Sequence, residues 1–187
     1  MDVAGSVRLR AATLADAAAI AEINVRAWQT AFRGIVPDER LDAMRVEERV
    51  DRFRQRLAPA ESANQRFILA VSGDTALGFV GFGTTGDEDV DPARVAEVHG
   101  LYVHPAHWRR GAGRRLLRAA VDALAADGFE TATLWTLAAC EPTRAFYESV
   151  GWRTDGAESV WEERDGLELV RYRRILPTSE PESDPGP

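Results

Sequence analysis

Two glycines one residue apart lie among arginines in the stretch HWRRGAGRRLL, which runs from His107 to Leu117. A glycine turn lets backbone N–H groups approach an anion, and the start of the apolar helix that follows adds a partial positive charge. The chain carries a net charge of −7, yet five arginines cluster here: Arg109, Arg110, Arg114, Arg115 and Arg118. The pattern predicts an anion-binding turn. An ordinary tight turn with a solvated basic flank is the alternative.

Two nucleotide-binding motifs do not fit this stretch. A P-loop requires a Lys followed by Ser or Thr after its second glycine, whereas Arg114 and Arg115 follow Gly113. The dinucleotide fingerprint requires a third glycine where Leu116 stands. Both motifs are therefore excluded, and the kind of anion stays open at this point.

The cysteine and histidine content argues against a metal centre. The one cysteine, Cys140, excludes an intrachain disulfide framework and a cysteine-based zinc site. His99, His104 and His107 lie close in sequence, but Pro105 prevents a regular helix from holding the last two in register. We expect no metal. Cys140 as a nucleophile is an alternative, although no Cys-His pairing is evident.

Composition limits the class of protein. The 187 residues are 45% hydrophobic, which suits one globular domain. The pI of about 5.1 argues against nucleic acid and mildly favours a cationic partner. The start MDVAGSVRLR lacks the apolar region of a signal peptide, and no apolar run is long enough to span a membrane. We expect a cytoplasmic protein, either a monomer or a homodimer, without a membrane partner.

The hydrophobic pattern predicts the order β-α-α-β-β-β-α-β-α-β-β. One helix follows Thr13 and its capping carboxylate Asp16, and is interrupted by RGIVPDERL before a second helix. A third runs from Gly113 to Gly128, and a short fourth lies in PTRAFYESVG. Strands are predicted in VRLRAAT, RFILAV, ALGFVGFGT, VAEVHGLYV, TATLWTL, SVWEE and LELVRYRRIL.

The strand-helix-strand unit around the glycine stretch should pair its strands in parallel, whereas the hairpins should be antiparallel. The fold class is therefore α/β (α+β), with a mixed sheet and helices on its faces. We expect one domain over residues 7–176, a flexible start over 1–6 and a disordered acidic tail over 177–187. GDEDVDP is predicted as an exposed loop, and Asp165-Gly166 as a hairpin turn.

Two segments together resemble the GNAT superfamily of acyl-CoA N-acyltransferases. Trp108 to Gly113 is similar to its acetyl-CoA signature, Q/R-x-x-G-x-G/A, and FYESVGW is similar to a later family segment. The resemblance runs from Val7 to about Leu176, and WQTAFRGIVPDERL resembles uncharacterised bacterial-type members. It implies a centrally splayed sheet of about seven strands and acetyl-CoA as co-substrate, without metal.

The resemblance also implies which residues hold coenzyme A. Backbone amides of Arg109, Arg110, Gly111, Ala112, Gly113 and Arg114 would cradle the pyrophosphate. Side chains of some of the five arginines, which include Arg115 and Arg118, would meet the 3′-phosphate. The pantetheine arm would pair with Leu101, Tyr102 and Val103 after a bulge near Gly100. Cys140 stands where an asparagine often contacts this arm, and a thiol is a weak hydrogen-bond partner. Trp108 replaces the usual Gln or Arg.

The same resemblance suggests the groups that move protons. Glu97 lies where the family often places a carboxylate base, and His99 is a second candidate because its ordinary pKa lies near 6.5. Strand alternation would place Glu97, His99 and Leu101 on one face. Tyr147 would protonate the leaving thiolate, and main-chain N–H groups near Leu101 and Tyr102 would stabilise the oxyanion.

The acceptor is expected near the first two helices. Trp28, Phe32 and Trp152 would form an aromatic wall there, with core packing as the alternative for each. The predicted function is N-acetylation of a primary amine on a small molecule or peptide. A non-catalytic acyl-CoA-binding module is the alternative from another class, and an RNA- or ribosome-directed acetyltransferase is a third hypothesis that the acidic balance disfavours.

Overall fold

A computed structural model describes residues 6–58, 64–162 and 166–177 of the chain. Within these ranges it contains seven strands and five α-helices. The strands are β1 (Arg8–Ala11), β2 (Gln65–Ser72), β3 (Thr75–Thr84), β4 (Val95–Val103), β5 (Thr131–Leu137), β6 (Arg153–Trp161) and β7 (Leu167–Ile175). The helices are α1 (Ala17–Ala31), α2 (Asp38–Ala43), α3 (Val46–Arg56), α4 (Ala112–Ala126) and α5 (Glu141–Ser149).

The strands form one mixed sheet in the order β1-β2-β3-β4-β5-β7-β6. Every neighbouring pair is antiparallel except β4 and β5, which pair in parallel across the crossover helix α4. This parallel register covers only three residue pairs, from Val95 with Thr131 to Glu97 with Thr133. Beyond Glu97 the two central strands separate, so the predicted centrally splayed sheet is confirmed.

A β-bulge in β4 lies at the point of separation. Gly100 is opposite Gly81, whereas Val98 is opposite Phe82, so His99 is an extra residue in β4. The bulge predicted near Gly100 is therefore confirmed, and it reverses the alternation of side chains beyond it.

The reversed alternation corrects one prediction. Leu101 pairs with Val80 and packs in the cluster below α4, on the face opposite to that of Glu97 and His99. The prediction that these three side chains share a face is wrong for Leu101, because strict alternation holds only without an inserted residue. Tyr102, in contrast, faces α1 and α3.

Apolar side chains cover both faces of the sheet. On one face, Leu116, Leu117 and Leu124 of α4 are completely or almost completely buried, as predicted from their helical spacing. On the other face, α1 and α3 pack through Ile20 and Phe53 against β2 and β3. The gap between β4 and β5 therefore opens between two packed layers.

Three element boundaries differ from the predictions. The segment RGIVPDERL was expected only to interrupt the helices, but it contains α2, whose Leu41 is fully buried. Strand β6 begins at Arg153, well before SVWEE, and α4 begins at Ala112 instead of Gly113. The predicted turn residue Asp165 and both predicted flexible ends, apart from Ser6 and Pro177, lie outside the described residues.

The acidic loop after β3 is predicted to be simply exposed, but two of its carboxylates pair with a buried arginine. The buried Arg171 of β7 pairs with Asp87 at 3.0 Å, with Asp89 at 2.7 Å and with Asp155 at 2.9 Å. Asp87 also accepts a hydrogen bond from Trp135 at 2.9 Å. These carboxylates neutralise a buried guanidinium, which would otherwise be costly to bury. Sequence reasoning missed this because Arg171 is distant along the chain.

Candidate active site

The predicted anion-binding turn joins β4 to α4. Arg109 has a φ of 59° and Gly111 has a φ of 82°, so both adopt the left-handed conformation that redirects successive peptide groups. Within the described part of the chain, no backbone N–H from residue 109 to residue 114 donates a hydrogen bond to another backbone or side-chain group. The first bond of the helix comes later, from Arg115 N–H to Gly111 O at 3.1 Å. The turn therefore presents several unsatisfied donors at a helix N-terminus.

The two glycines serve this turn in different ways. Gly111 needs its positive φ, which an L side chain rarely adopts. Gly113 has an ordinary φ, and an added Cβ would lie 3.6 Å from Val103 and 3.7 Å from Phe146, both normal contacts. Neither the backbone conformation nor the packing within the protein therefore requires a glycine at position 113. Its absent side chain instead leaves room for a ligand beside the turn.

The arginines around the turn are exposed. Arg118 pairs with Asp122 at 3.7 Å along α4. Arg109, Arg110, Arg114 and Arg115 have no carboxylate partner among the residues that the structure describes. Four guanidinium groups in the described part of the chain are therefore without a carboxylate partner, and their predicted binding to an anionic ligand stays a prediction.

The backbone of β4 borders the gap beyond Glu97. In an antiparallel pair, alternate residues direct their N–H and C=O groups away from the partner strand. Part of the Leu101–Val103 backbone therefore faces the gap instead of β3. The carbonyl of Val103 already accepts a hydrogen bond from Trp108 Nε1 at 2.7 Å. Trp108 thus braces the end of β4 against the turn.

Tyr147 lies on α5 and belongs to the buried cluster on the α4 face of the sheet. Its side chain is 6% exposed and its ring packs against those of Phe146, Trp152 and Tyr172. Burial raises the pKa of Tyr147 well above its usual range, and the nearby Tyr102 adds to this shift. The phenol is protonated at neutral pH even without this shift, and the raised pKa makes it a weaker acid than an ordinary tyrosine.

Cys140 immediately precedes α5. It is 2% exposed, and its Sγ lies 3.1 Å from Thr143 Oγ1 and 3.9 Å from Ala31 O. The thiol is thus turned toward α1 and its own helix. Its predicted contact with a pantetheine arm stays a prediction.

Glu97 is half-buried on the face of β4 that looks toward α1 and α3. Its Oε2 accepts a hydrogen bond from Gly86 N at 3.3 Å. Burial raises the pKa of Glu97, although this hydrogen bond and the neighbouring His99 favour its charged form. A carboxylate with a raised pKa is a stronger base than an ordinary glutamate.

His99 is held in a chain of hydrogen bonds. Arg56 Nε donates to Gln65 Oε1 at 2.8 Å, which fixes the orientation of the Gln65 amide. Gln65 Nε2 then lies 2.6 Å from His99 Nδ1, and His99 Nε2 lies 2.9 Å from the Thr84 carbonyl. A carbonyl only accepts, so Nε2 carries the proton and Nδ1 accepts from Gln65. The lone pair that a base would use is therefore occupied.

A cleft of about 350 Å³ opens on the α1 and α3 side of the bulge. Trp28, Tyr102 and Trp161 line it together with Phe79 and Gly100. Trp28 packs edge-on against both Phe32 and Trp161, with ring centroids 4.7 Å and 6.1 Å apart. Trp28 Nε1 also donates to the Tyr102 hydroxyl at 3.2 Å. The structure thus brings two of the three predicted aromatic residues, Trp28 and Phe32, together beside the cleft.

The third predicted wall residue, Trp152, does not belong to this cleft. It is fully buried and packs against Tyr147 in the cluster on the α4 face of the sheet. The prediction is wrong because Trp152 precedes β6 and enters the core. The wall residue that sequence reasoning missed is Trp161, at the other end of β6, and only the tertiary fold brings it to α1.

Sequence reasoning also missed three arginines that line the cleft. Arg49, Arg52 and Arg56 lie on α3 at i, i+3 and i+7, which places them on one helical face with Phe53. The spacing of these three arginines along one helical face was the available signal.

The described residues contain neither a metal-binding cluster nor a membrane-spanning helix. Among the residues described, no group of three or more His, Cys, Asp or Glu side chains is placed to hold a metal ion. Within the same ranges, none of the helices combines the length and apolar character of a membrane span.

Comparison with known sequences places this geometry in a family. A model of the acetyltransferase (GNAT) family matches residues 20–152. The chain is 27% identical over 169 residues to the uncharacterized N-acetyltransferase YuaI of Bacillus subtilis, and the alignment covers 90% of each protein. It is 32% identical over 113 residues to the N-alpha-acetyltransferase RimI of Mycobacterium tuberculosis, covering 60% of this chain and 68% of that protein.

Solved structures share the fold. The PaiA N-acetyltransferase from Thermoplasma acidophilum, solved with coenzyme A, has a TM-score of 0.75 at 18% identity, covering 91% of this chain and 99% of that one. YncA from Salmonella typhimurium, solved with acetyl-CoA, has a TM-score of 0.66 at 22% identity, covering 95% and 98%. The family model spans well over half of the sequence and the splayed sheet matches these folds, so the chain belongs to the acetyltransferase (GNAT) family and is an acyltransferase.

Proposed function

We propose that the chain is an acetyl-CoA-dependent N-acetyltransferase that transfers acetyl to a primary amine of a small molecule or peptide by direct attack. The observation that carries this proposal is the gap between β4 and β5. An anion-binding turn borders it, and a separate cleft opens beside the bulge on the α1 and α3 side. A thioester donor and an amine acceptor would therefore meet at Gly100.

The residues present fit the donor. The unsatisfied amides of residues 109–114 would bind the pyrophosphate of coenzyme A, and the exposed arginines would bind its 3′-phosphate. The backbone of Leu101, Tyr102 and Val103 would pair with the pantetheine arm as an added strand. That PaiA and YncA were solved with coenzyme A and acetyl-CoA in the same fold supports this assignment.

Glu97 is proposed as the base. An alkyl ammonium group has a pKa of about 10.4, so the acceptor must lose a proton before or during attack. The Glu97 carboxylate, whose pKa burial raises, would accept that proton through a water molecule. His99 is proposed as a positioning residue, because Gln65 occupies its free lone pair.

Tyr147 is proposed as the acid. The amine nitrogen forms a bond to the thioester carbonyl carbon, and the carbon–sulfur bond then breaks with its electron pair on sulfur. The Tyr147 hydroxyl would give its proton to that thiolate. Glu97, which holds the proton from the amine, would then release it to solvent, and the Tyr147 phenolate would take one up from solvent, so that both groups return to their starting states. Main-chain N–H groups near Leu101 and Tyr102 would stabilise the oxyanion in between.

The test is release of coenzyme A from acetyl-CoA across a panel of primary amines. Glu97→Gln and Tyr147→Phe should keep acetyl-CoA affinity in calorimetry and lower kcat by about 10²–10⁴-fold, with Tyr147→Phe near the lower end because a thiolate is a fair leaving group. The controls are Glu22→Gln on the exposed face of α1 and Tyr172→Phe, which removes another buried phenol. Both controls should keep the wild-type rate.

Two outcomes would contradict the proposal. If wild-type protein binds acetyl-CoA but releases no coenzyme A with any amine, the chain is a non-catalytic acyl-CoA-binding module. If release occurs and both site variants turn over like wild type, the assigned acid and base are wrong, and positioning alone carries catalysis.

A further inference from the structure

The cleft beside the bulge is lined by positive charge, although the chain as a whole is acidic. Three guanidinium groups line it, those of Arg49, Arg52 and Arg56, and no carboxylate is among its described lining residues. His99, also in the lining, is hydrogen-bonded to Gln65 and to the Thr84 carbonyl. The cleft is therefore locally cationic in a chain of net charge −7.

Two of the arginines are fixed by neutral partners. Arg49 Nη1 donates to Asn24 Oδ1 at 2.9 Å, and Asn24 is itself only 3% exposed. Arg56 donates to Gln65 and lies over the rings of Phe53 and Phe67, at 5.6 Å and 5.1 Å from their centroids. Both side chains are thus oriented in advance, and neither forms an ion pair with a carboxylate among the described residues, although Glu48 favours the charge of Arg49 at longer range.

The positive charge of Arg52 also makes the charged forms of Arg49 and Arg56 less favourable. Burial lowers the pKa of Arg49 and of Arg56, and the positive charge of Arg52 lowers both further. Arg52 has no carboxylate partner among the residues that the structure describes. Arg49 and Arg56 are half-buried, whereas Arg52 is exposed. Partly buried like charges without an ion-pair partner are unfavourable, and an anion bound among them would relieve that cost.

From this geometry we infer that the acceptor is a small primary amine that carries an anionic group, a carboxylate or a phosphonate, held by Arg49, Arg52 and Arg56 while its amine lies at Gly100. The inference rests on the proposed function and narrows its substrate class. Guanidinium groups suit both oxyanions because they donate in a planar fork. A cleft of about 350 Å³ accommodates a small molecule.

The arginines of the turn between β4 and α4 are not part of the cleft. The phosphate-binding arginines of the turn lie at the start of α4, whereas the cleft arginines lie on α3, on the other face of the sheet. The two cationic groups would therefore bind different anions, coenzyme A at the turn and the acceptor at the cleft.

The experiment uses matched pairs of amines in the coenzyme A release assay. Each α-amino acid is compared with its amide, and each aminoalkyl phosphonate with its neutral ester, at saturating acetyl-CoA. The anionic member of each pair should have the higher kcat/KM, and the preferred oxyanion distinguishes carboxylate from phosphonate. Arg52→Gln should raise KM for the anionic member by about 10- to 100-fold and leave the neutral member unchanged.

Arg54→Gln is the control, because Arg54 lies on the same helix but pairs with Asp51 at 2.9 Å on the exposed side. It should leave both members of each pair unchanged. Arg52→Lys should restore part of the lost affinity, since it returns the charge without the fork. The KM for acetyl-CoA should stay constant in all three variants.

Calorimetric titration of the same pairs into the coenzyme A complex separates the two proposals. Tighter binding of the anionic members without turnover would contradict the acetyltransferase function and support the anion site. Turnover with equal or better use of neutral or cationic amines would overturn the anion site and leave the function standing. Equal or undetectable binding of both members of each pair would also overturn the anion site.

Discussion

At the scale of single residues, the two glycines of the turn differ in role. One is needed for the backbone conformation, and we propose that the other is needed for the approach of the ligand. Gly111 has a φ of 82° and is needed for the shape of the turn, whereas a Cβ at Gly113 would make only ordinary contacts within the protein. Gly113→Ala should therefore keep the melting temperature close to that of wild type. Its methyl group would occupy space between Val103 and Phe146 beside the proposed pyrophosphate.

We expect Gly113→Ala to weaken acetyl-CoA binding by about tenfold or more, as lost contacts between amides and phosphate would. Gly113→Val should weaken it further. Calorimetry on the folded variants measures both. Unchanged affinity for acetyl-CoA in the valine variant would contradict the proposal that this turn binds the pyrophosphate.

At the scale of elements, a salt bridge fixes the entry into α1, the helix that carries Trp28. Arg10 of β1 donates to both carboxylate oxygens of Asp16 at 2.7 Å, and Asp16 also accepts from Thr13 N at 2.7 Å. These bonds, with Arg10 contributing most, lower the pKa of Asp16 to about 2. The predicted capping role of Asp16 is confirmed.

Asp16→Asn should lower the free energy of unfolding by about 1 kcal/mol at neutral pH, since it removes a charged pair in which Asp16 is 12% exposed while Arg10, at 37%, is partly screened by solvent. A carboxyl whose pKa is lower in the folded state stabilises the fold above its unfolded pKa, near 4. This contribution is lost as pH falls toward 2, so wild type and variant should converge there.

Urea unfolding at several pH values measures this difference. Asp51→Asn is the control, because Asp51 pairs with Arg54 where both side chains are more than 60% exposed, and it should change stability by less than about 0.5 kcal/mol. A constant gap between wild type and Asp16→Asn down to acid pH would contradict the role given to this pair.

The elements themselves were largely predictable from the sequence, and the exceptions have physical causes. Spacing of apolar residues located α1, α3 and α4, because amphipathic helices must bury one stripe. It missed α2, a helix of six residues that is too short to show a period. It placed Leu101 on the wrong face, because a bulge is set by pairing with β3 and not by the pattern within β4.

At the scale of the whole molecule, the chemistry of the donor side was more predictable than that of the acceptor side. The proposed phosphate-binding turn is contiguous in sequence, so its glycines and arginines appear together. The proposed acceptor cleft draws Trp28 from α1, Arg52 from α3 and Trp161 from β6, and no local pattern joins them. Net charge does not report local charge: the overall value of −7 mildly favours a cationic partner, whereas three arginines line the cleft.

The central claim is direct transfer of acetyl from acetyl-CoA to an amine bound at the same time in a separate cleft. Initial rates measured while both substrates are varied test it most directly. Direct attack predicts double-reciprocal lines that intersect and no release of coenzyme A before the amine is added. Parallel lines with a burst of coenzyme A from the enzyme alone would contradict it, because they would show a covalent acetyl-enzyme, with Cys140 as the first residue to examine.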